Sequence, residues 1–244
     1  MKIISPVQKL SRSLKEEGLL HTCFRILHRF RLISVLHTFE ILYGALSNPV
    51  ECLSSRADQQ MSSQLKLKCR EIKEYELDKL QFADGMYSLE TFRMHFANGM
   101  RFFAAFHEDL IVAVNGIHEQ CANLVYIKLP NIELPHGIVY LNCALTAPAY
   151  GNRSIGTVLR GFMLGQLKKE GFQSAVAAVF IENRGALRWN MRNGFTYWGR
   201  ISYIRCGKRD FWWKHVTQVG RRYGHIFDHV GRGFSRELVS EAVS

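Results

Sequence analysis

Thr146-Ala147-Pro148-Ala149-Tyr150-Gly151-Asn152-Arg153-Ser154-Ile155-Gly156-Thr157 joins two segments of opposite character. Before it, Ile138 to Thr146 is an apolar, β-branched run that reads as a strand. After it, Ser154 to Lys169 reads as a helix, with Leu159, Phe162, Met163 and Leu167 on one side and Gly171 just past its end as a left-handed cap. Small residues at such a strand–helix junction let the backbone approach a ligand closely. The N–H groups of the first helical turn, with the helix dipole behind them, favour an anion there. A pyrophosphate fits that description, and Arg153 adds a charge-assisted contact. An ordinary tight connection can carry the same glycines, so this segment needs a second one to support it.

The second segment is Ile181-Glu182-Asn183-Arg184-Gly185-Ala186-Leu187-Arg188-Trp189-Asn190-Met191-Arg192-Asn193-Gly194-Phe195. It follows Ser174 to Ile181, an apolar run without a polar break, as a strand buried on both faces requires. Gly185 to Asn193 reads as a helix stopped by Gly194, and Phe195 to Ile204 as the next strand. Upstream, Leu65 to Ile72 alternates as a half-buried strand does, and Asp78 to Ala83 and Leu89 to Asn98 read as helices. Met100 to Phe106 and Leu110 to Ile117 read as strands joined by a turn at His107-Glu108-Asp109, and Phe211 to Val216 as a last strand. This order implies an α/β domain with a mixed sheet and helices on its faces.

Both segments resemble the GNAT acyltransferase superfamily. The first resembles its acyl-CoA loop, Gln/Arg-x-x-Gly-x-Gly/Ala, with Pro148, Tyr150 and Gly156 in place. Gly151 stands where Gln or Arg is usual, Asn152 for the first Gly and Ser154 for the second. The second resembles the family's N-x-x-A run ending in Gly-Phe, with Asn183, Ala186, Arg192, Gly194 and Phe195 matching. The matches span Leu141 to Phe195. The resemblance implies a mixed, mostly antiparallel GNAT-like sheet flanked by helices. It also implies acyl-CoA, acetyl-CoA or another, as co-substrate, with no metal. The donor would be held by Leu145, Thr146, Gly151, Asn152, Arg153, Ser154, Ile155, Gly156, Thr157, Asn183, Ala186 and Asn190. A fainter likeness, without a motif behind it, is to GNAT-like proteins associated with bacterial polysaccharide assembly.

Chemistry of this type needs a base that makes an amine neutral, and backbone N–H near Leu145 or Thr146 to polarise the thioester carbonyl. The resemblance puts a carboxylate where this chain has Tyr140, so Tyr140 and the strand-end residues His118 and Glu119 are the candidate bases. Each has an ordinary reading beside it: a packed Tyr, a surface His, a solvated Glu. Asn190 stands in the place of the family's proton-donating Tyr, and an amide cannot be a general acid. Cys143 reads as a small buried hydrophobe rather than an acyl-carrying nucleophile. The expected function is transfer of an acetyl or short acyl group to a small-molecule primary amine, with an amino sugar or sugar nucleotide as first guess. A silent acyl-CoA-binding module is the alternative.

The outer zones differ in composition. Ser5 to Leu46 reads as a basic amphipathic helix, placed in an N-terminal segment 1–53, with a polar link at Ser54 to Gln64. Such a helix either lies on an anionic membrane surface or packs its stripe on the main domain. On the membrane reading, a chain beginning near Ser54 stays soluble and loses vesicle binding. The main domain is read as 65–213, and 214–244 as a basic C-terminal extension. The net charge of +11 attracts phosphates of any origin. No nucleic-acid fold motif accompanies the Arg/Trp/Tyr residues near the C-terminus, so nucleic acid is not an expected partner. Six cysteines without a C-x-x-C pair, a leader or a spanning segment point to a reducing, cytoplasmic setting, with peripheral contact to the inner membrane surface as an option.

Overall fold

The computed structural model describes residues 22–23, 26, 29, 35–46, 65–80, 82, 87–151 and 154–217. Its strands are β1 (Val35–Ala45), β2 (Lys68–Ile72), β3 (Arg101–His107), β4 (Leu110–His118), β5 (Cys121–Leu124), β6 (Leu129–Glu133), β7 (Ile138–Thr146), β8 (Ser174–Phe180), β9 (Thr196–Cys206) and β10 (Arg209–Val216). Its helices are α1 (Leu89–Ala97), α2 (Ile155–Lys169) and α3 (Arg184–Arg192). Eight strands make one sheet in the order β10-β9-β1-β8-β7-β4-β3-β2, and β5–β6 form a separate hairpin. Only β7 and β8 pair in parallel, across the α2 crossover, so the sheet is mixed and mostly antiparallel, as expected.

One face of the sheet packs Leu42, Phe103, Ala113, Ile117 and Leu141 against Leu159, Met163 and Leu167 of α2 and Leu187 of α3. On the other face, Phe39, Ile41, Tyr140, Trp198 and Tyr203 are covered by Leu124, Ile127 and Ile132 around the β5–β6 hairpin. Phe92 of α1 closes a third cluster with Phe102, Val114 and Cys143. Local devices set the connections. Glu108 and Asp109, at φ 50° and 65°, form the two-residue turn joining β3 to β4. Gly171 and Gly194 take the left-handed conformation (φ 94° and 79°) that ends α2 and α3, as their positions in the sequence suggest.

Two sequence expectations are corrected. Residues 35–46, read as the end of a helix, form β1, hydrogen-bonded between β8 and β9. Phe39 and Ile41 go to one core while Leu42 goes to the other, so the strand is apolar on both faces and its sequence lacks the alternation that marks a strand. Across the β1–β9 ladder, Arg200 pairs with Glu40 at 2.9 Å and the Thr38 hydroxyl donates to Ser202 at 3.1 Å. Gly44 lets the Phe195 ring lie on β1, where a Cβ would sit 3.0 Å from it. Of the helix read at Asp78 to Ala83, Asp78 and Lys79 instead end a 3-10 turn over Glu74–Lys79 and Leu80 bridges to Ile111, while Gln81 and Ala83 lie outside the described residues. That turn is fixed by Glu76, which accepts from Arg70 and from the Lys73 N–H. The β5–β6 hairpin fills a stretch to which no element was assigned. Thr22, Cys23, Ile26 and Arg29 are helical. The rest of the N-terminal segment, the 54–64 link and 218–244 lie outside the described residues. No described helix is long and apolar enough to cross a membrane.

Because β1 lies inside the sheet, its core residues carry stability. Leu42 is fully buried, and Leu42→Ala should cost about 2–5 kcal/mol in a denaturant titration. A chain starting near Ser54 leaves β8 and β9 without their shared partner and should show no cooperative unfolding transition. This outcome is opposite to that expected for a detachable N-terminal helix.

Candidate active site

The site begins where two strands separate. β7 and β8 pair from Ile138↔Ser174 to Leu141↔Ala177, and no further pairs follow although both strands continue. On its other edge β7 is bulged: the register to β4 jumps from Val114↔Leu145 to Gly116↔Asn142. Cys143, inside the bulge, has φ 52°, and the Asn142 side chain accepts from its N–H at 2.8 Å. The separation opens a cleft of about 840 Å³ that runs from α1 to the starts of α2 and α3.

At the α2 end the cleft is lined by Gly151, Ser154, Ile155, Gly156 and Thr157, with Leu145 and Thr146 at the strand end. Asn152 and Arg153 lie outside the described residues. Ser154 turns the chain into the helix at φ 53°. A Cβ on Gly156 would sit 3.3 Å from Thr146 Oγ1, so glycine keeps this floor open. Trp189 Nε1 donates to Thr157 Oγ1 at 3.0 Å and ties α3 to the first turn of α2. Asn183 lines the cleft and also caps α3, accepting from the Ala186 N–H at 3.1 Å. A bare glycine floor in front of a helix start, opening into a parted pair of strands, suits the pyrophosphate and extended arm of an acyl-CoA.

Asn190 is buried and points inward. Its Nδ2 donates to the Ala186 carbonyl at 2.9 Å, and its Oδ1 accepts from Arg160 at 3.4 Å. Arg160, on the second turn of α2, is a cleft residue that the sequence reading missed. The other contact of its terminal nitrogens is Asn115 Oδ1, also at 3.4 Å, and the guanidinium lies 4.5 Å from the Trp189 ring.

The candidate bases separate clearly. His118 ends β4, is 5% exposed, lines the cleft and stands opposite Tyr140 in the ladder. Burial lowers its pKa, and His95 adds to the effect. His95 of α1, also missed from the sequence, lines the same end and has its pKa lowered by burial. Both imidazoles are therefore neutral near pH 7 and able to accept a proton. Tyr140 lines the cleft, but complete burial raises its pKa and keeps the phenol protonated. Glu119 is held in an ion-pair knot: Arg101 contacts Glu119, Glu71 at 2.8 Å and Glu170 at 2.7 Å. It is not among the cleft-lining residues. Burial pushes the Cys143 thiol up to about 12, which removes its thiolate at neutral pH. Among the described lining residues none is Asp or Glu, and the cations are Arg160 and Arg192.

No protein-family model matches the chain, and no curated protein matches it. Solved structures do. The glucosamine N-acetyltransferase region of a fungal multi-domain β-N-acetylglucosaminidase superposes with a TM-score of 0.53 at 16% identity, over 76% of this chain and 22% of that one. A structure described as a GNAT-family acetyltransferase from Novosphingobium aromaticivorans gives 0.46 at 12% identity, over 70% of this chain and 64% of that one. A GNAT-family acetyltransferase from Staphylococcus aureus gives 0.40 at 16% identity, over 59% and 89%. This chain thus spans about a fifth of the fungal protein and under two thirds of the Novosphingobium one. At such identities the likeness is one of architecture, and the fold is GNAT-like.

Proposed function

We propose that this chain is an N-acyltransferase that moves an acetyl or other short acyl group from acyl-CoA to the primary amine of a small molecule. The observation that carries the reading is the cleft itself. It joins a glycine-floored helix start at one end to two neutral histidines, one buried and one half-buried, at the other, through the gap where β7 leaves β8. Bound acyl-CoA would supply an activated thioester carbonyl, and the first turn of α2 would hold its pyrophosphate.

The remaining work belongs to this chain. The backbone of β7 near Leu145 and Thr146 orients the carbonyl in the gap. A ring nitrogen of His118 takes the proton that the amine must lose. Tyr140 and Phe39 exclude water from the wall beside it. Asn190 donates no proton, but a thiolate leaving group needs little help because its intrinsic pKa is about 8–9. Glucosamine acetylation by the fungal neighbour supports an amino sugar as acceptor. The absence of Asp and Glu among the described lining residues favours a neutral or anionic one, such as a sugar nucleotide, over a polycation. A silent acyl-CoA-binding module is the second reading, favoured by Asn190 where relatives place a Tyr.

Gly156→Leu should weaken acetyl-CoA binding about tenfold or more in calorimetry, because the side chain fills the floor. Unchanged affinity in a folded variant would remove the pyrophosphate assignment. His118→Gln should lower kcat by about 10²- to 10⁴-fold and leave the acetyl-CoA Kd unchanged. The pH profile has a definite sign. A base with its pKa depressed below 6.5 is already deprotonated at neutral pH. kcat/KM should therefore be flat from pH 8 down to about 6.5 and fall only in more acid solution. Saturable acetyl-CoA binding with no turnover across a panel of amines and amino sugars would assign the silent module.

A further inference from the structure

Several described arginines meet carboxylates at or near the surface. Arg70 meets Glu76, Arg101 meets Glu71, Arg200 meets Glu40 and Arg205 meets Asp210. Arg160 is 2% exposed, more deeply buried than any of these, and no described carboxylate pairs with it. Its two side-chain hydrogen bonds, to Asn115 and Asn190, are both stretched to 3.4 Å, and its Nε has no hydrogen-bond partner among the described residues. Desolvation draws its pKa down to about 9, which still leaves it charged at neutral pH. The sequence places it on the buried stripe of α2, with Met163, Leu164 and Leu167, where an apolar residue would pack without cost.

A buried guanidinium without a counter-ion is destabilising, and an apolar residue of similar volume is commonly as stable or more so. The arrangement becomes favourable once an anion enters the cleft. We infer that Arg160 is the receptor for a carboxylate on the ligand, so that the site selects a carboxyl-bearing donor or acceptor over its neutral counterpart. This inference rests on the acyl-transfer reading of the cleft. A carboxylate matches the planar guanidinium fork with two oxygens at normal charge-assisted distances, shorter than either amide contact now made. Its single charge balances a single cation, whereas a phosphate monoester brings nearly two charges into a dry site. Arg192, the other lining cation, is solvent-exposed and cannot stand in for it. Asn115 on β4 and Asn190 on α3 hold the guanidinium from either side of the parted strands, so it faces the space the ligand occupies.

The carboxylate could come from the acyl group of a dicarboxylic acyl-CoA or from the acceptor, and two calorimetric arms on the full chain separate these sources. One compares malonyl-CoA and succinyl-CoA with acetyl-CoA and butyryl-CoA. The other compares amino acids and amino uronic acids with their amides, in the presence of CoA. In one arm the carboxyl ligand should bind at least ~10-fold tighter than its neutral counterpart. Arg160→Met should abolish that preference and Arg160→Lys should retain part of it. The ligand-free Arg160→Met variant should melt at or above the wild-type temperature, which a purely structural arginine would not allow. Three results would overturn the inference: no preference in either arm, a preference that survives in Arg160→Met, or slower acetyl transfer in that variant with every affinity unchanged, which would put Arg160 on the leaving sulfur. If wild type binds neither CoA nor acetyl-CoA, the acyl-transfer reading fails by itself. The melting-temperature response of wild type and Arg160→Met to the free carboxylates then still decides the role of Arg160.

Discussion

Everything distinctive about this molecule depends on hydrogen bonds that β7 and β8 do not make. Four residue pairs tie the two strands together, and beyond Leu141↔Ala177 the ladder stops. Backbone N–H and C=O groups left without a strand partner inside a protein need another partner, and a ligand can supply it. The bulge at Cys143 makes the separation structural rather than a frayed end. It turns β7 toward β4, where pairing resumes at Leu145 and Thr146. The helix start of α2, the cap of α3 and the histidines of β4 and α1 are then arranged around a gap that the sheet itself creates.

Pairing and burial distribute charge unevenly around this gap. Away from it, carboxylates and cations meet: Arg101 alone engages Glu71, Glu119 and Glu170. Inside it, carboxylates are missing among the described lining residues, and titratable groups are held neutral by desolvation. Burial acts in opposite directions on the two residue types that face each other at the end of β4. It lowers the pKa of His118 and raises that of Tyr140, so both are uncharged at neutral pH, one able to accept a proton and the other only to donate. Arg160 is the buried exception, since a guanidinium stays ionised where an imidazole or phenol would not.

Much of the site's scaffold could be read locally. The glycines at 151 and 156, the apolar run before them and the amphipathic helix after them specify a strand–loop–helix unit through near-neighbour patterns. Gly171 and Gly194 mark helix ends for the same reason. Asn183 was legible as a cleft residue, and the structure adds that it caps α3. Arg160 left a faint trace, a charge on an otherwise apolar helical stripe, which a stricter reading of α2 could have used. His95 left none, because a histidine in the last turn of an amphipathic helix is unremarkable until its neighbours are known.

The sequence by itself determined the order of elements from Ile138 onward and the strand–loop–helix unit at 146–157. Both are written in patterns spanning one or two turns or strand repeats, where physical neighbours are also sequence neighbours. Only the tertiary structure decided that Val35–Ala45 is a strand between β8 and β9. Apolar on both sides, that segment shows the same composition as a buried helix, and its partners lie more than a hundred residues away. The structure alone also separated the candidate bases. Burial and pairing are properties of the surroundings, and those of His118, Glu119 and Tyr140 are built by α1, by Arg101 and by the β5–β6 hairpin, none of which the residues encode in their own vicinity.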